Sequence, residues 1–166
     1  MTKSKTSLKV IIISFITIAI ILGSCIYGLY VVLLGGVPTN KIISQFNENL
    51  NCFDNVATYL EKETKIYDIT YSNGKLLFYD MSVIENNQII EITDEKVHKA
   101  LVSILHDLKY KRIEIYEDEI YFLKGVHLSG NRGIKYIRNG GIPYSSAPQI
   151  YELIKGNWYY YYFSNG

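Results

Sequence analysis

Cysteine is scarce in this chain, which has only two thiols among its 166 residues. Cys25 lies inside the longest apolar run and Cys52 lies after it, so the part of the chain that follows this run cannot form an internal disulfide. Small secreted scaffolds that depend on several disulfides are therefore excluded. The roughly 129 residues from Pro38 onward are enough to bury an ordinary hydrophobic core without cross-links.

The sequence also lacks an excess of charge of either sign. It has 17 Lys and Arg against 16 Asp and Glu, and its formal net charge is +1. Lys3, Lys5 and Lys9 precede the apolar run, which leaves 14 basic against 16 acidic residues for the rest. A nucleic-acid-binding domain needs a basic face, so the composition argues against a nucleic-acid partner.

The sequence motifs of common catalytic and cofactor sites are missing as well. The chain contains no Gly-x-Ser-x-Gly, His-Glu-x-x-His or Cys-x-x-Cys, no phosphate loop and no dinucleotide fingerprint. His98 and His106 lie on a predicted helix about 80° apart around its axis, rather than at the i, i+4 spacing that binds zinc. The sequence therefore predicts a protein that is not an enzyme and has neither a cofactor nor a metal site.

One long apolar run, from Val10 to Val37, dominates the N-terminal part of the chain. It extends for about 28 residues without a charged residue, His, Asn or Gln, whereas ~20 residues suffice to cross the bilayer core. The run predicts a transmembrane helix over 10–37, with the lipid bilayer as its partner. Because lysines precede the run, the positive-inside rule places residues 1–9 in the cytoplasm and 38–166 outside, in a single-pass cell-membrane protein.

Cys25 offers an alternative interpretation of this run. Leu22-Gly23-Ser24-Cys25 resembles the lipobox of bacterial lipoproteins, which makes Cys25 a candidate lipidation site. Lipoproteins typically turn polar after that cysteine, whereas Ile26 to Leu34 remains apolar. The run is also longer than the ~7–15-residue apolar core of a cleaved signal peptide. An uncleaved signal-anchor is therefore favoured over a lipoprotein.

Two amphipathic helices are predicted after the anchor. In the first, apolar residues alternate steps of three and four over about 20 residues, namely Ile43, Phe46, Leu50, Phe53, Ala57 and Leu60. The second follows Thr93-Asp94-Glu95, a favourable N-terminal cap. Its apolar stripe consists of Val97, Leu101, Ile104, Leu105 and Leu108. Both stripes indicate packing against a common sheet.

Alternating and β-branched segments around these helices predict hairpins. Asn73-Gly74 favours a type I′ turn, and Gly156-Asn157 favours a second two-residue turn. The predicted strands cover 66–71, 76–81, 83–84, 89–92, 113–115, 120–126, 134–138, 150–155 and 158–163. The sequence therefore predicts an α+β domain in which two helices pack on a mainly antiparallel sheet of hairpins.

Two residues in predicted loops are candidates for contact with a ligand or partner. Tyr144 lies in the longest irregular stretch of the domain, 139–148, and such loops often carry function. Arg132 lies in the segment 129–133, whose backbone N–H groups favour an anion, although a plain hairpin turn is the simpler interpretation.

The terminal strand carries six consecutive aromatic residues, three on each face. The side of Trp158 is predicted to be structural. The side of Tyr159 and Tyr161 is predicted to be the contact surface, because exposed aromatic rows often mark binding sites. The alternative is that the fold covers both faces.

Two segments, Gly133-Ile134-Lys135-Tyr136 and Gly156-Asn157-Trp158-Tyr159-Tyr160, together with the anchor layout, resemble uncharacterised small membrane-anchored proteins of low-G+C Gram-positive bacteria. The resemblance implies a membrane location and no particular activity. We expect a non-catalytic module on the outer membrane face that binds a protein, a cell-wall polymer or a lipid headgroup. The alternative is a small membrane-protein partner of the immunity or regulatory type that acts through its transmembrane helix.

Overall fold

The computed structural model describes residues 16–27, 37–62, 67–80, 87–88, 92–116, 118–127, 130–141 and 149–164. The chain divides into two compact units, Met1–Gly36 and Val37–Gly166. This division places the boundary at the end of the apolar run.

The first unit is described at residues 16–27, which form a helix, α1, with every side chain exposed. The predicted membrane span is thus described only at 16–27 and at Val37, and residues 1–15 and 28–36 lie outside the described residues. In the part of the chain that the structure describes, no helix is both long and apolar enough to cross a membrane. The transmembrane span over 10–37 stays a prediction.

The helices of the second unit are α2 (Thr39–Glu48), α3 (Leu50–Leu60) and α4 (Glu95–Val102), with a π-helical turn over Ser103–Asp107 and a 3₁₀ turn over Arg138–Gly140. The prediction of one continuous first helix is wrong at Asn49, where φ is −120° and ψ is 21°. The Asn49 Nδ2 donates to the Gln45 carbonyl at 2.9 Å, and such local side-chain bonds compete with a continuing helix. The apolar stripe persists across the break, with Phe46 and Phe53 both fully buried.

Helix α4 begins where the sequence predicts. The Asp94 carboxylate accepts from the backbone N–H groups of Lys96 and Val97 at 2.9 and 3.1 Å, which is a side-chain N-cap. After the π-helical turn the chain reverses at Lys109, whose φ is +59°. This reversal leads directly into the next strand.

Among the described residues, eight strands form one antiparallel sheet in the order β3-β2-β1-β4-β5-β6-β8-β7. Their bounds are Tyr67–Ser72 (β1), Lys75–Asp80 (β2), Asn87–Gln88 (β3), Arg112–Ile115 (β4), Glu119–His127 (β5), Gly130–Ile137 (β6), Gln149–Lys155 (β7) and Trp158–Ser164 (β8). Asn73 and Gly74 both have positive φ, 51° and 77°, as a type I′ turn requires. The predicted α+β class with antiparallel hairpins is confirmed.

The predicted strands at 83–84 and 89–92 have a different outcome. Residues 83–84 and 89–91 lie outside the described residues. The structure places a short strand at Asn87–Gln88, paired with Phe78 and Tyr79 of β2, where the sequence predicted a turn. Cross-strand pairing to β2 overrides the turn preference of Asn at this position.

The main core lies between the helices and one face of the sheet. Phe46, Phe53 and Phe122 are fully buried and meet Trp158, which is 4% exposed. The ring centroids are 5.0 Å apart for Phe46 and Trp158 and 5.1 Å apart for Phe53 and Phe122. The Trp158 Nε1 donates to Asp54 Oδ1 at 2.9 Å, so the indole is satisfied within the core. The predicted structural role of Trp158 is confirmed.

The other face of the sheet has a smaller cluster of its own, which we call the second-face cluster. It comprises buried Tyr121, Leu123 and Tyr161, with Tyr151 and Phe163 partly buried against them. All five residues come from strands β5, β7 and β8. Both faces of the terminal strand therefore contribute to packing.

Candidate functional site

A surface cavity of about 470 Å³ lies where three segments of the second unit meet. The segments are the start of α2, the connection from the π-helical turn to β4, and the end of β5. Its walls are Val37, Lys41, Gln45, Asp107, Leu108, Lys109, Lys111, Lys124, Gly125 and Val126. We call this site the lysine cavity.

The lysine cavity has a strong excess of positive charge. Four of its ten lining residues are lysines and one, Asp107, is acidic. The Asp107 carboxylate lies 2.8 Å from the His106 Nδ1, so part of its charge is already engaged. A concave site lined by charges of one sign focuses its field on ligands of the opposite sign. The cavity is therefore suited to an anion.

Lys124 reaches the cavity from an irregularity in β5. The register between β5 and β6 shifts between Leu123 and Gly125, which leaves Lys124 as the additional residue. Its Nζ donates to the Leu108 carbonyl and lies 4.8 Å from the centroid of the Tyr110 ring. Burial, followed by the nearby charges of Lys41 and Lys111, lowers the pKa of Lys124 to about 8.

Lys109 and Lys111 are placed by the connection that precedes β4. The Tyr110 N–H donates to the Ile104 carbonyl at 3.1 Å, and the Lys111 N–H donates to the Leu123 carbonyl at 2.7 Å. Tyr110 is 2% exposed, whereas Lys109 and Lys111 on either side of it are exposed. Tyr110 is thus anchored in the core, and Lys109 and Lys111 on either side of it line the cavity.

Arg132 lies in strand β6, so the predicted loop over 129–133 is wrong at its described residues, and a contact role for Arg132 stays a prediction. Strand β6 already begins at Gly130, and the Arg132 Nη1 donates to the Val37 carbonyl at 3.3 Å. Glycine in this segment serves close approach of two strands: a Cβ on Gly133 would lie 2.0 Å from the Phe122 carbonyl oxygen. Arg132 therefore fixes the start of the domain at Val37.

The two tyrosines predicted as a contact surface have different environments. Tyr161 is 1% exposed, and its ring centroid lies 5.2 Å from those of Tyr121 and Phe163. A contact role for Tyr161 is thus ruled out on this surface, because the second-face cluster buries the ring. Tyr159 is half-buried, and its contact role stays a prediction.

Beside the second-face cluster lies a buried ion pair. Lys135 is fully buried, and its Nζ lies 2.5 Å from Glu119 Oε1 and 4.7 and 4.6 Å from the ring centroids of Tyr121 and Tyr151. The Tyr121 hydroxyl donates to Glu119 Oε2 at 2.5 Å. Burial lowers the pKa of Lys135, and Glu119 opposes this shift. Because these charges compensate each other internally, the pair serves packing.

None of the predicted site residues is among the described residues that line the lysine cavity. Cys25 is exposed on α1, and its lipidation stays a prediction. Tyr144 lies outside the described residues. Within the described ranges, no group of three or more His, Cys, Asp or Glu side chains is arranged to hold a metal ion.

Little in the sequence indicates the lysine cavity. Lys41, Lys111 and Lys124 come from three different elements, and only the short Lys109-Tyr110-Lys111 alternation is visible locally. In comparisons with known proteins, no family model, curated protein or solved structure matches the chain.

Proposed function

We propose that this protein is a single-pass membrane-anchored, extracytoplasmic and non-catalytic binding module that takes anionic, phosphate-bearing groups into its lysine cavity. The observation that carries the proposal is the set of four lysines around one cavity whose wall begins at Val37, the end of the predicted anchor.

Support for the anchor comes from the apolar run. The part of this run at 16–27 is helical, and its large apolar side chains are exposed. Ile20, Ile21 and Leu22, for example, are 63%, 56% and 57% exposed. An apolar helix without partners in its own chain is stable when lipid surrounds it.

Support for anion binding comes from electrostatic repulsion between the lysines of the unliganded cavity. Lys41 and Lys111 disfavour the charged form of Lys124, so the unliganded cavity holds mutually repelling ammonium groups. A phosphate group would compensate these charges and accept hydrogen bonds from them. Binding of an anion thereby reduces the repulsion between the ammonium groups of the free protein.

Support for a non-catalytic role comes from the side chains that line the cavity. Among the described residues, the lining groups able to act as nucleophile or base are the lysine amines and the Asp107 carboxylate, and no hydroxyl, thiol or imidazole group stands beside them. Catalysis by such groups usually requires a nucleophile and a base within hydrogen-bond reach of each other, whereas the described ion pair of Asp107 is with His106 and not with a lysine of the cavity. Ammonium groups that surround an anion suffice for binding.

Binding of inorganic pyrophosphate to the full chain in neutral-detergent micelles tests the proposed function. We expect the Lys111→Gln, Lys124→Gln double variant to bind at least tenfold more weakly than the native chain, because two of four ammonium groups are lost. The matched control is Lys96→Gln, Lys99→Gln, which removes the same charge from exposed positions of α4. Equal weakening in both variants would show a general charge effect and refute a site at the cavity.

A further inference from the structure

The lysine cavity follows the predicted anchor directly in the sequence. Val37 ends the apolar run and also lines the cavity. The Pro38 carbonyl accepts from the N–H groups of Lys41 and Ile42 at 3.1 and 3.2 Å, so helix α2 follows immediately. Lys41 is therefore only four residues beyond the end of the predicted span.

The length of the apolar run places this end near the lipid headgroups. About 28 residues at ~1.5 Å per residue give a helix of about 42 Å, against ~30 Å of hydrocarbon and ~40–45 Å for the bilayer with its headgroup regions. With an ordinary tilt, such a helix exceeds the hydrocarbon by about 10 Å, and if Val10, which follows Lys9, lies at the inner edge, this excess extends beyond the outer edge at Val37. This is the layer in which phosphodiester groups lie.

The walls of the lysine cavity have the mixed chemistry of a lipid headgroup site. Lysines line it together with the apolar residues Val37, Leu108 and Val126. The Val126 side chain is 57% exposed. A phosphodiester with its attached glycerol uses both kinds of wall, because the lysines contact the phosphate while apolar residues contact the adjoining carbons.

We propose that the ligand of the lysine cavity is the phosphodiester headgroup of an anionic lipid in the membrane that holds the chain. This inference rests on the proposed function and names its ligand. The headgroup pairs with Lys41, Lys111 and Lys124 and thereby fixes the domain against the bilayer surface. The carboxylate of Asp107, the acidic residue of the cavity wall, repels the anionic headgroup.

Lysine protection in lipid nanodiscs tests this inference with the full chain. Reductive methylation of each lysine is followed by mass spectrometry in discs of phosphatidylcholine alone and in discs with added phosphatidylglycerol, at physiological salt to screen long-range fields. We expect Lys41, Lys111 and Lys124 to react at least fivefold more slowly in the phosphatidylglycerol discs, while Lys96 and Lys99 on α4 serve as controls. Asp107→Asn should increase the protection.

The outcomes separate this inference from the proposed function. Protection by soluble pyrophosphate in phosphatidylcholine discs, without protection by phosphatidylglycerol, would overturn the lipid proposal and leave anion binding intact. Protection by neither would overturn both. Equal slowing of the cavity lysines and of Lys96 and Lys99 would reflect surface potential alone and would also overturn the lipid proposal.

Discussion

Lys124 illustrates how one residue links packing to ligand chemistry. Its ammonium is mostly buried, donates to a backbone carbonyl and faces two further lysines. These surroundings lower its pKa to about 8, within reach of ordinary buffers. The charge of the lysine cavity is therefore adjustable by pH through Lys124.

Anion affinity should fall as pH rises through 8. Lys124 is protonated below this value and becomes neutral above it, so its contact with an anion weakens on the alkaline side. We expect sulfate, whose charge does not change over this range, to bind about tenfold more weakly at pH 9.5 than at pH 7. Calorimetric titration of the full chain in neutral detergent measures this.

The Lys124→Gln variant provides the control for this prediction. It should bind sulfate more weakly than the native chain at pH 7 and should show a nearly flat profile between pH 7 and 9.5. A native profile that is equally flat would mean that Lys124 does not contact the anion.

At the scale of elements, sequence patterns predicted what is locally encoded. The Asp94 cap and the Asn73-Gly74 turn lie where expected because a few neighbouring residues determine them. The break at Asn49 was not predicted. A stripe of apolar residues indicates which side of a helix is buried, but it does not indicate whether the helix is continuous. The start of β6 was not predicted, because its glycines are typical of turns. Here they allow close packing of neighbouring strands.

Strand β8 gives a stability prediction that follows from burial on both faces. Trp158 belongs to the main core and Tyr161 to the second-face cluster, so Trp158→Ala and Tyr161→Ala should each cost ~3–5 kcal/mol of unfolding free energy. Tyr159→Ala removes a half-buried ring and should cost only about 1 kcal/mol. Chemical denaturation of the three variants measures this. A small loss in Tyr161→Ala would restore that residue as a surface candidate.

At the scale of the whole molecule, the candidate site depends on contacts that no local pattern contains. The lysine cavity brings Lys41 of α2 and Lys124 of β5 to one site. Burial of Tyr161 depends on neighbouring strands that bring Tyr121 and Tyr151 alongside it. Charge and aromatic content were visible in the sequence, whereas their assembly requires the strand order.

The buried tyrosines make the fold sensitive to alkali. Burial raises the pKa of Tyr151 to about 12 and raises those of Tyr110, Tyr121 and Tyr161 as well. Groups with a raised folded-state pKa stabilise the fold fully below their unfolded value of about 10, and this contribution is lost as pH rises toward the folded values. Lys124 acts in the opposite direction between about pH 8 and 10.5. The net loss should therefore begin above about pH 10.5.

A titration of the full chain in detergent tests this expectation. The part of the tyrosinate absorbance that comes from the buried Tyr110, Tyr121 and Tyr161 should rise in a cooperative step that coincides with loss of the circular-dichroism signal of the sheet. Ionisation of all 16 tyrosines before any loss of structure would show that these buried side chains ionise in the folded state.

The proposed membrane topology leads to a further prediction for the whole chain. With the N-terminus inside and residues 38–166 outside, protease added to intact protoplasts should remove the domain. A cytoplasmic marker must survive in the same sample. If the domain survives while a known external protein is cleaved, the proposed orientation is wrong.

Gly133 has a consequence for how this sequence can vary. A Cβ at this position would lie 2.0 Å from a main-chain oxygen of the adjacent strand, and no rotamer change can move that atom away. Every amino acid other than glycine adds a Cβ at position 133, so we expect no substitution there to be tolerated. In a saturation screen for folded protein, position 133 should retain glycine alone, while the exposed turn residue Gly74, with open space around it, should accept Asn.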